Sequence, residues 1–139
     1  MYQNCCNSNM DYGPDPYVAN IERLALQNQN FRTAIWTGDN LQMTVMCIQP
    51  CDEIGMEVHE CVDQFIRVEQ GIACAQMGNC KYELDFQKQM CTGDAVFVPA
   101  GMWHNVKNIG KMPLKLSVIY APPNHERGTV HKTKKTANI

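Results

Sequence analysis

The sequence has no long hydrophobic run, no large excess of either charge and no Cys-x2-Cys pair. With no apolar stretch near the roughly 20 residues a helix needs to span a bilayer, it predicts no membrane-crossing helix. Twelve basic against fourteen acidic side chains leave a net charge of −2. That lacks the clustered Lys and Arg of a nucleic-acid binder. The opening MYQNCCNSNMDYGPDPY has neither a basic stretch nor an apolar one after it, so no secretory leader and a cytoplasmic location are expected. A Gly-rich phosphate loop, a Ser-His-Asp order and a Cys-His nucleophile pattern are also missing.

What is present is 139 residues, 45% hydrophobic and 19% charged. This suits one globular domain that buries roughly two-thirds of its unfolded surface without staples. The chain carries eight cysteines, Cys5, Cys6, Cys47, Cys51, Cys61, Cys74, Cys80 and Cys91. In a secreted mini-domain an even count suggests disulfides, but in a reducing compartment most read as free, small hydrophobes. Cys5 and Cys6 read as loosely held near a frayed end. Methionines such as Met43, Met46 and Met77 read as core filler.

Charge and period organise the chain. Residues 124–139 carry a local +3, against −5 for the rest. Their polar composition fits a solvated terminus better than an arm over a neighbouring subunit or an anionic ligand. Ile21, Leu24 and Leu26 predict a short helix within Val18–Gln29. Thereafter the period is two: Phe31, Thr33 and Ile35; Leu41, Met43, Val45 and Cys47; Tyr82, Leu84 and Phe86; Leu114, Leu116 and Val118. Turn signals at Thr37-Gly38-Asp39-Asn40, Met77-Gly78-Asn79, Thr92-Gly93-Asp94 and Asn108-Ile109-Gly110 separate these runs. The pattern predicts an all-β sandwich or barrel.

Two stretches carry chemistry that a generic β-domain lacks. Between Gly55 and Gly71, Glu57 and His59 stand two apart, so on a strand both side chains leave one face. Gln64 then shares a face with Ile66 and Val68, an amide in an apolar row, while Phe65, Arg67 and Glu69 form the outward face. Between Gly93 and Asn108, an apolar strand ends in the tight turn Pro99-Ala100-Gly101, and His104 follows at the start of the next strand. One histidine on a strand is more often a packing residue than a ligand. With a second histidine and a carboxylate already in hand, the case changes.

On these residues the sequence resembles the cupin superfamily. Its second motif, Gly-x5-Pro-x-Gly-x2-His-x3-Asn, is matched in full by Gly93, Pro99, Gly101, His104 and Asn108. Its first, Gly-x5-His-x-His-x3–4-Glu-x6-Gly, is matched at His59 and Gly71. Cys51, Glu57 and Gln64 stand where the opening Gly, the first His and the Glu are usual. The stretches from Asn30 to Gly38, Val62 to Glu69 and Ile119 to Lys134 are similar to small single-domain bacterial cupins. These are often labelled mannose-6-phosphate isomerase-like, a label resting on fold analogy.

The resemblance implies a cupin-type double-stranded β-helix, a jelly-roll barrel, over residues 31–121. Residues 1–30 would form an N-terminal arm with a short helix and residues 122–139 a basic C-terminal tail. It further implies a homodimer, a small-molecule ligand in the barrel, and one divalent transition metal (Fe, Mn, Zn or Ni). The metal would be held by Glu57, His59, Gln64 and His104, three strong ligands and one weak neutral oxygen. Met102 and Trp103, beside His104, are candidates to line a substrate pocket or simply to pack. The implied function is action on a small polar molecule, most plausibly as a sugar or sugar-phosphate isomerase. The alternatives are a 2-His-1-carboxylate Fe(II) dioxygenase and a non-catalytic small-molecule-binding cupin.

Overall fold

Short runs of alternating residues between turns pair as antiparallel strands, and the computed structural model describes them over residues 10–137. Cys5 and Cys6 lie outside the described residues. In chain order the elements are α1 (Ile21–Gln27), β1 (Arg32–Thr37), β2 (Gln42–Ile48), β3 (Asp63–Gln70), β4 (Ala73–Gly78) and β5 (Phe86–Met90). They continue with β6 (Ala95–Val98), β7 (Trp103–Asn108), β8 (Leu114–Ala121), β9 (Val130–His131) and α2 (Lys134–Ala137). One sheet runs β6-β3-β8-β2-β1-β9 and faces a smaller one, β5-β4-β7. The all-β jelly-roll barrel is therefore the architecture of this chain.

The two sheets close on one core. Met46, Ile48, Ile66, Val68, Leu114, Leu116 and Val118 come from the large sheet, and Ala73, Ala75, Met77 and Val106 from the small one. Each large aliphatic side chain so buried is worth roughly 1.5–3 kcal/mol. The register sets these residues in rows across β3, β8 and β2: Val68, Leu116 and Met46 in one, Ile66, Val118 and Thr44 in the next, Gln64, Tyr120 and Gln42 in the third. The barrel interior thus changes from apolar at one end to polar at the other.

Helix α1 covers the outside of the large sheet, where Leu24 and Ala25 pack on Ile35, Met43 and Val45. It starts later than the apolar spacing suggests because Asn20 caps it, its side chain accepting the Arg23 backbone N–H at 2.9 Å. The cover buries the outer face as well. Glu69 is buried there, accepting from the Ser117 hydroxyl at 2.7 Å and pairing with Arg67. With both faces covered, the odd-numbered apolar rows of β1 and β2 turn under the helix, while Arg32, Gln42 and Thr44 turn inward.

Two expectations need correction. Tyr82 and Leu84 are not in a strand: Tyr82 is 90% exposed in the turn closed by an isolated Cys80–Glu83 bridge, and β5 begins only at Phe86. The tail is not simply solvated. Its Val130 and His131 form β9 against β1, and Arg127 donates to the Gly13 and Asp11 carbonyls at 2.7 and 2.8 Å. Gln42 supplies the anchor, accepting the Asn124 and His125 N–H groups and donating to the His125 carbonyl. Residues 124–131 therefore belong to the barrel. The six cysteines among the described residues are free thiols.

Candidate metal centre

Three ligand-type side chains meet at the polar end of the barrel. Residues 53–57 run beside β7 as a broken edge strand, with bridges Glu53–Lys107 and Glu57–His104. That pairing puts Glu57 next to His104, while His59 follows one pleat later. The Pro99–Gly101 turn holds His59 from the other side: the Gly101 N–H donates to the His59 carbonyl at 2.8 Å. Gly101 takes φ +81° there, a left-handed conformation that glycine adopts without a Cβ clash. Cys51 has φ +67° at the motif's opening glycine position, the one described non-glycine residue with positive φ. The motif spacing thus encodes backbone geometry as well as ligands.

Ligand atoms of Glu57, His59 and His104 all lie within 4.8 Å of one another. The Glu57 Oε2 and His59 Nε2 atoms are 3.5 Å apart, and the two imidazole rings sit 5.4 Å centre to centre. His104 is 2% exposed, and its Nδ1 lies 3.0 Å from the Met102 carbonyl. A carbonyl only accepts, so Nδ1 carries the proton and the Nε2 lone pair faces the cluster. Both His59 Nε2 and His104 Nε2 are buried with no hydrogen-bond partner. Burial lowers the His59 pKa, offset in part by the Glu57 carboxylate, so its ring is neutral and fit to ligate. Two unprotonated imidazole nitrogens and one carboxylate, converging with no protein partner, fit a divalent first-row ion.

The other predicted residues divide. Gln64 faces inward at 4% exposure, in the row of Tyr120, and its Oε1 is also buried without a partner. Met102 packs against the core and supplies the carbonyl that orients His104. Trp103 goes elsewhere. One residue before His104 on β7, it leaves the opposite face of the strand, where the Lys81 ammonium lies 5.8 Å from its ring. The structure does not bring it to the cluster.

Sequence reasoning missed a second set of residues that the termini deliver. Arg32 from β1 lies inside the barrel at 5% exposure, donating from Nη1 to His131 Nδ1 at 3.0 Å. Tyr120 from β8 is wholly buried, its ring edge-on to His59 at 6.1 Å. His125 packs edge-on against Tyr120, with its Nε2 3.3 Å from the hydroxyl. Burial, then the Arg32 charge, pushes the His125 pKa down to about 3, and the same two causes lower His131. Burial raises Tyr120, so its hydroxyl keeps its proton. No motif marks these positions; the inward parity of β1 was the one signal that could have flagged Arg32.

Comparison with known proteins agrees with this fold. The chain is 54% identical over 127 residues to the uncharacterized protein YrkC of Bacillus subtilis (strain 168), covering 91% of this chain and 68% of that protein. It is 35% identical over 115 residues to the uncharacterized protein L612 of Acanthamoeba polyphaga mimivirus, covering 82% and 70%. Among solved structures, BH2720 from Bacillus halodurans superposes with a TM-score of 0.92 at 51% identity, over 93% of this chain and 98% of that one. No helix among the described residues is long and apolar enough to cross a membrane. Residues 44–120 match the Cupin_2 family, the cupin domain, and the chain belongs to it.

Proposed function

We propose that this chain is a mononuclear metal-binding cupin that acts on a small polar molecule held inside the barrel. The observation that carries the reading is the pair of buried, unpartnered Nε2 atoms of His59 and His104 beside the Glu57 carboxylate. Glu57, His59 and His104 would hold the ion, with the neutral Gln64 oxygen as a weak fourth donor. When bound, such an ion supplies Lewis-acid polarisation of a carbonyl or hydroxyl oxygen.

The finer reading is isomerisation of a sugar or sugar phosphate, a proton moving between adjacent carbons. Glu57 is engaged as a ligand in this reading, so the proton must be handled by other groups. Tyr120 and His125 suit only the hydrogen-bonding part of that role. The Tyr120 hydroxyl keeps its proton and can donate to a substrate oxygen or to the His125 Nε2 3.3 Å away. A ring whose pKa is lowered to about 3 is too weak a base to take the proton from carbon. The His104–Met102 hydrogen bond keeps the imidazole turned toward the same centre.

The second reading is an Fe(II) dioxygenase, favoured by the ligand set itself, since two histidines and one carboxylate with open positions suit that chemistry. An anaerobic incubation of the metal-loaded protein with aldose and ketose phosphates in D2O separates the two. Deuterium entering the carbon next to the carbonyl supports the isomerase. Substrate loss only with oxygen uptake supports the dioxygenase, and binding without either leaves a non-catalytic module. The homodimer belongs to this proposal too; light scattering that returns a single-chain mass would remove it.

A further inference from the structure

Arg32 is a buried cation without an anion. None of the ion pairs among the described residues involves it. Its partner at Nη1 is the neutral His131 ring, the Phe31 ring lies 5.2 Å from its guanidinium carbon, and its Nε is buried with no hydrogen-bond partner. A guanidinium keeps its charge in proteins, and a buried charge without a counter-charge is expensive. The groups it touches do not offset the charge, and the Glu57 carboxylate, which acts with it on His59 and Tyr120, forms no ion pair with it. Burial first, and then the Arg32 charge, lowers the pKa values of His125 and His131, so both rings are neutral beside it. Tyr120 keeps its proton.

The unsatisfied polar atoms gather in the same place. Among the described residues, the buried side-chain atoms without partners are five: Arg32 Nε, Thr44 Oγ1, His59 Nε2, Gln64 Oε1 and His104 Nε2. All five belong to residues of the barrel interior. Buried polar groups are ordinarily hydrogen-bonded, so such a gathering marks a place where a ligand completes the set. Two of the five are the imidazole nitrogens of the metal cluster. Arg32 differs from them in kind: it is a charged donor in a planar fork, whose best partner is a planar or tetrahedral oxyanion.

We infer that Arg32 is the anchor for an oxyanion group, a carboxylate or a phosphate, on the molecule that occupies the barrel. The metal cluster then takes the reacting end of that molecule and Arg32 its charged end. This deepens the proposed function and rests on it for the role of the metal, though not for the anion site itself. Carbohydrates without an acidic group would leave Arg32 unpaired and bind weakly.

The test uses the protein with and without metal, because anions also bind metal ions directly. Chelator-treated wild type, Arg32→Gln and Arg32→Lys are titrated calorimetrically with inorganic phosphate, malonate and erythritol at matched ionic strength. Metal content is read by elemental analysis in parallel. In metal-free wild type, phosphate or malonate binds measurably and raises the melting temperature, and which of them binds tighter distinguishes the two oxyanions. Arg32→Gln weakens that binding by at least about tenfold, as expected for loss of a charge-assisted hydrogen-bond pair. Arg32→Lys recovers part of it, and erythritol is unaffected throughout. Equal anion affinity in wild type and Arg32→Gln overturns the inference, as does the absence of any anion effect on metal-free wild type. The wild-type melting experiment stands even if neither variant folds. Failure of the metal reading shows separately, as protein that takes up no metal yet still binds anion.

Discussion

Glu57 and His104 exchange both of their backbone hydrogen bonds, the Glu57 N–H donating to the His104 carbonyl at 3.0 Å and the His104 N–H to the Glu57 carbonyl at 2.9 Å. A reciprocal pair of this kind fixes two residues directly opposite each other on antiparallel chains, with side chains on one face. The two ligands are therefore placed by the backbone before any metal arrives. His104→Ala leaves this backbone pair in place and removes only the imidazole. It is expected to lower metal affinity at least about tenfold while the protein stays folded. Elemental analysis and circular dichroism of the purified variant check both halves. Trp103→Ala, on the opposite face of the same strand, should leave metal content as in wild type.

Gln64 offers a prediction with opposite signs in two conditions. Its buried Oε1 has no partner, so Gln64→Glu places a carboxylate where no protein donor awaits it. Without metal, the variant should be less stable by about 2 kcal/mol or more, the cost of a buried polar group left unsatisfied. With metal, the same oxygen becomes a charged ligand and binding tightens. Melting curves with chelator and with excess metal should therefore shift in opposite directions relative to wild type. A shift of the same sign in both would remove Gln64 from the ligand set.

What the sequence made legible divides along the chain. Glu57, His59, Gln64 and His104 sit inside two motifs whose turns and strand parity are local, and the resemblance to cupins in those motifs pointed to them. Arg32, Tyr120 and His125 come from β1, β8 and the segment after it, and meet only through the order in which the strands pair. Alternation by itself does not say which row of β1 and β2 faces inward, for a physical reason. Helix α1 makes the outer face apolar too, so Ile35 and Val45 looked like the inward row while Arg32 and Thr44 took it. The tail looked solvated because several of its contacts run through its own backbone, as where the Gln42 side chain binds Asn124 and His125. Gln42 and the Gly13 and Asp11 carbonyls hold it, and composition does not record such contacts.

Cys51 carries a prediction about strain. It is exposed and sits at φ +67°, where an L-residue pays about 1–2 kcal/mol and glycine nearly nothing. Glycine also loosens the unfolded chain by about 0.4–1 kcal/mol, which offsets part of the gain. Cys51→Gly should therefore stabilise the fold by up to about 1 kcal/mol, with a rise in melting temperature of about 2–4 °C. Cys51→Ala, which keeps the Cβ, should give no such rise. Equal melting temperatures for both variants would mean that the thiol, not the backbone, governs this position.

The last prediction concerns acid. His125 is buried beside Tyr120 with Arg32, His131 and His59 among its charged and titratable neighbours, and its pKa is lowered to about 3 from 6.5. The unfolded chain binds a proton on this ring below pH 6.5, whereas the folded chain does not until about pH 3. Its contribution to stability is therefore complete above pH 6.5 and is lost as pH falls from there toward 3, with a slope of about 1.4 kcal/mol per pH unit. His59 and His131 are lowered as well and add to the same trend. Denaturant unfolding of the metal-free protein at steps between pH 7 and pH 4 should show stability falling with acid. His125→Asn should remove close to one proton from that dependence, leaving a shallower slope. If the slope of His125→Asn matches that of wild type, the ring is protonated alike in the folded and unfolded chain. It would then be too open to serve as the neutral hydrogen-bond acceptor beside Tyr120, and the paired role assigned to the two residues would fall with it.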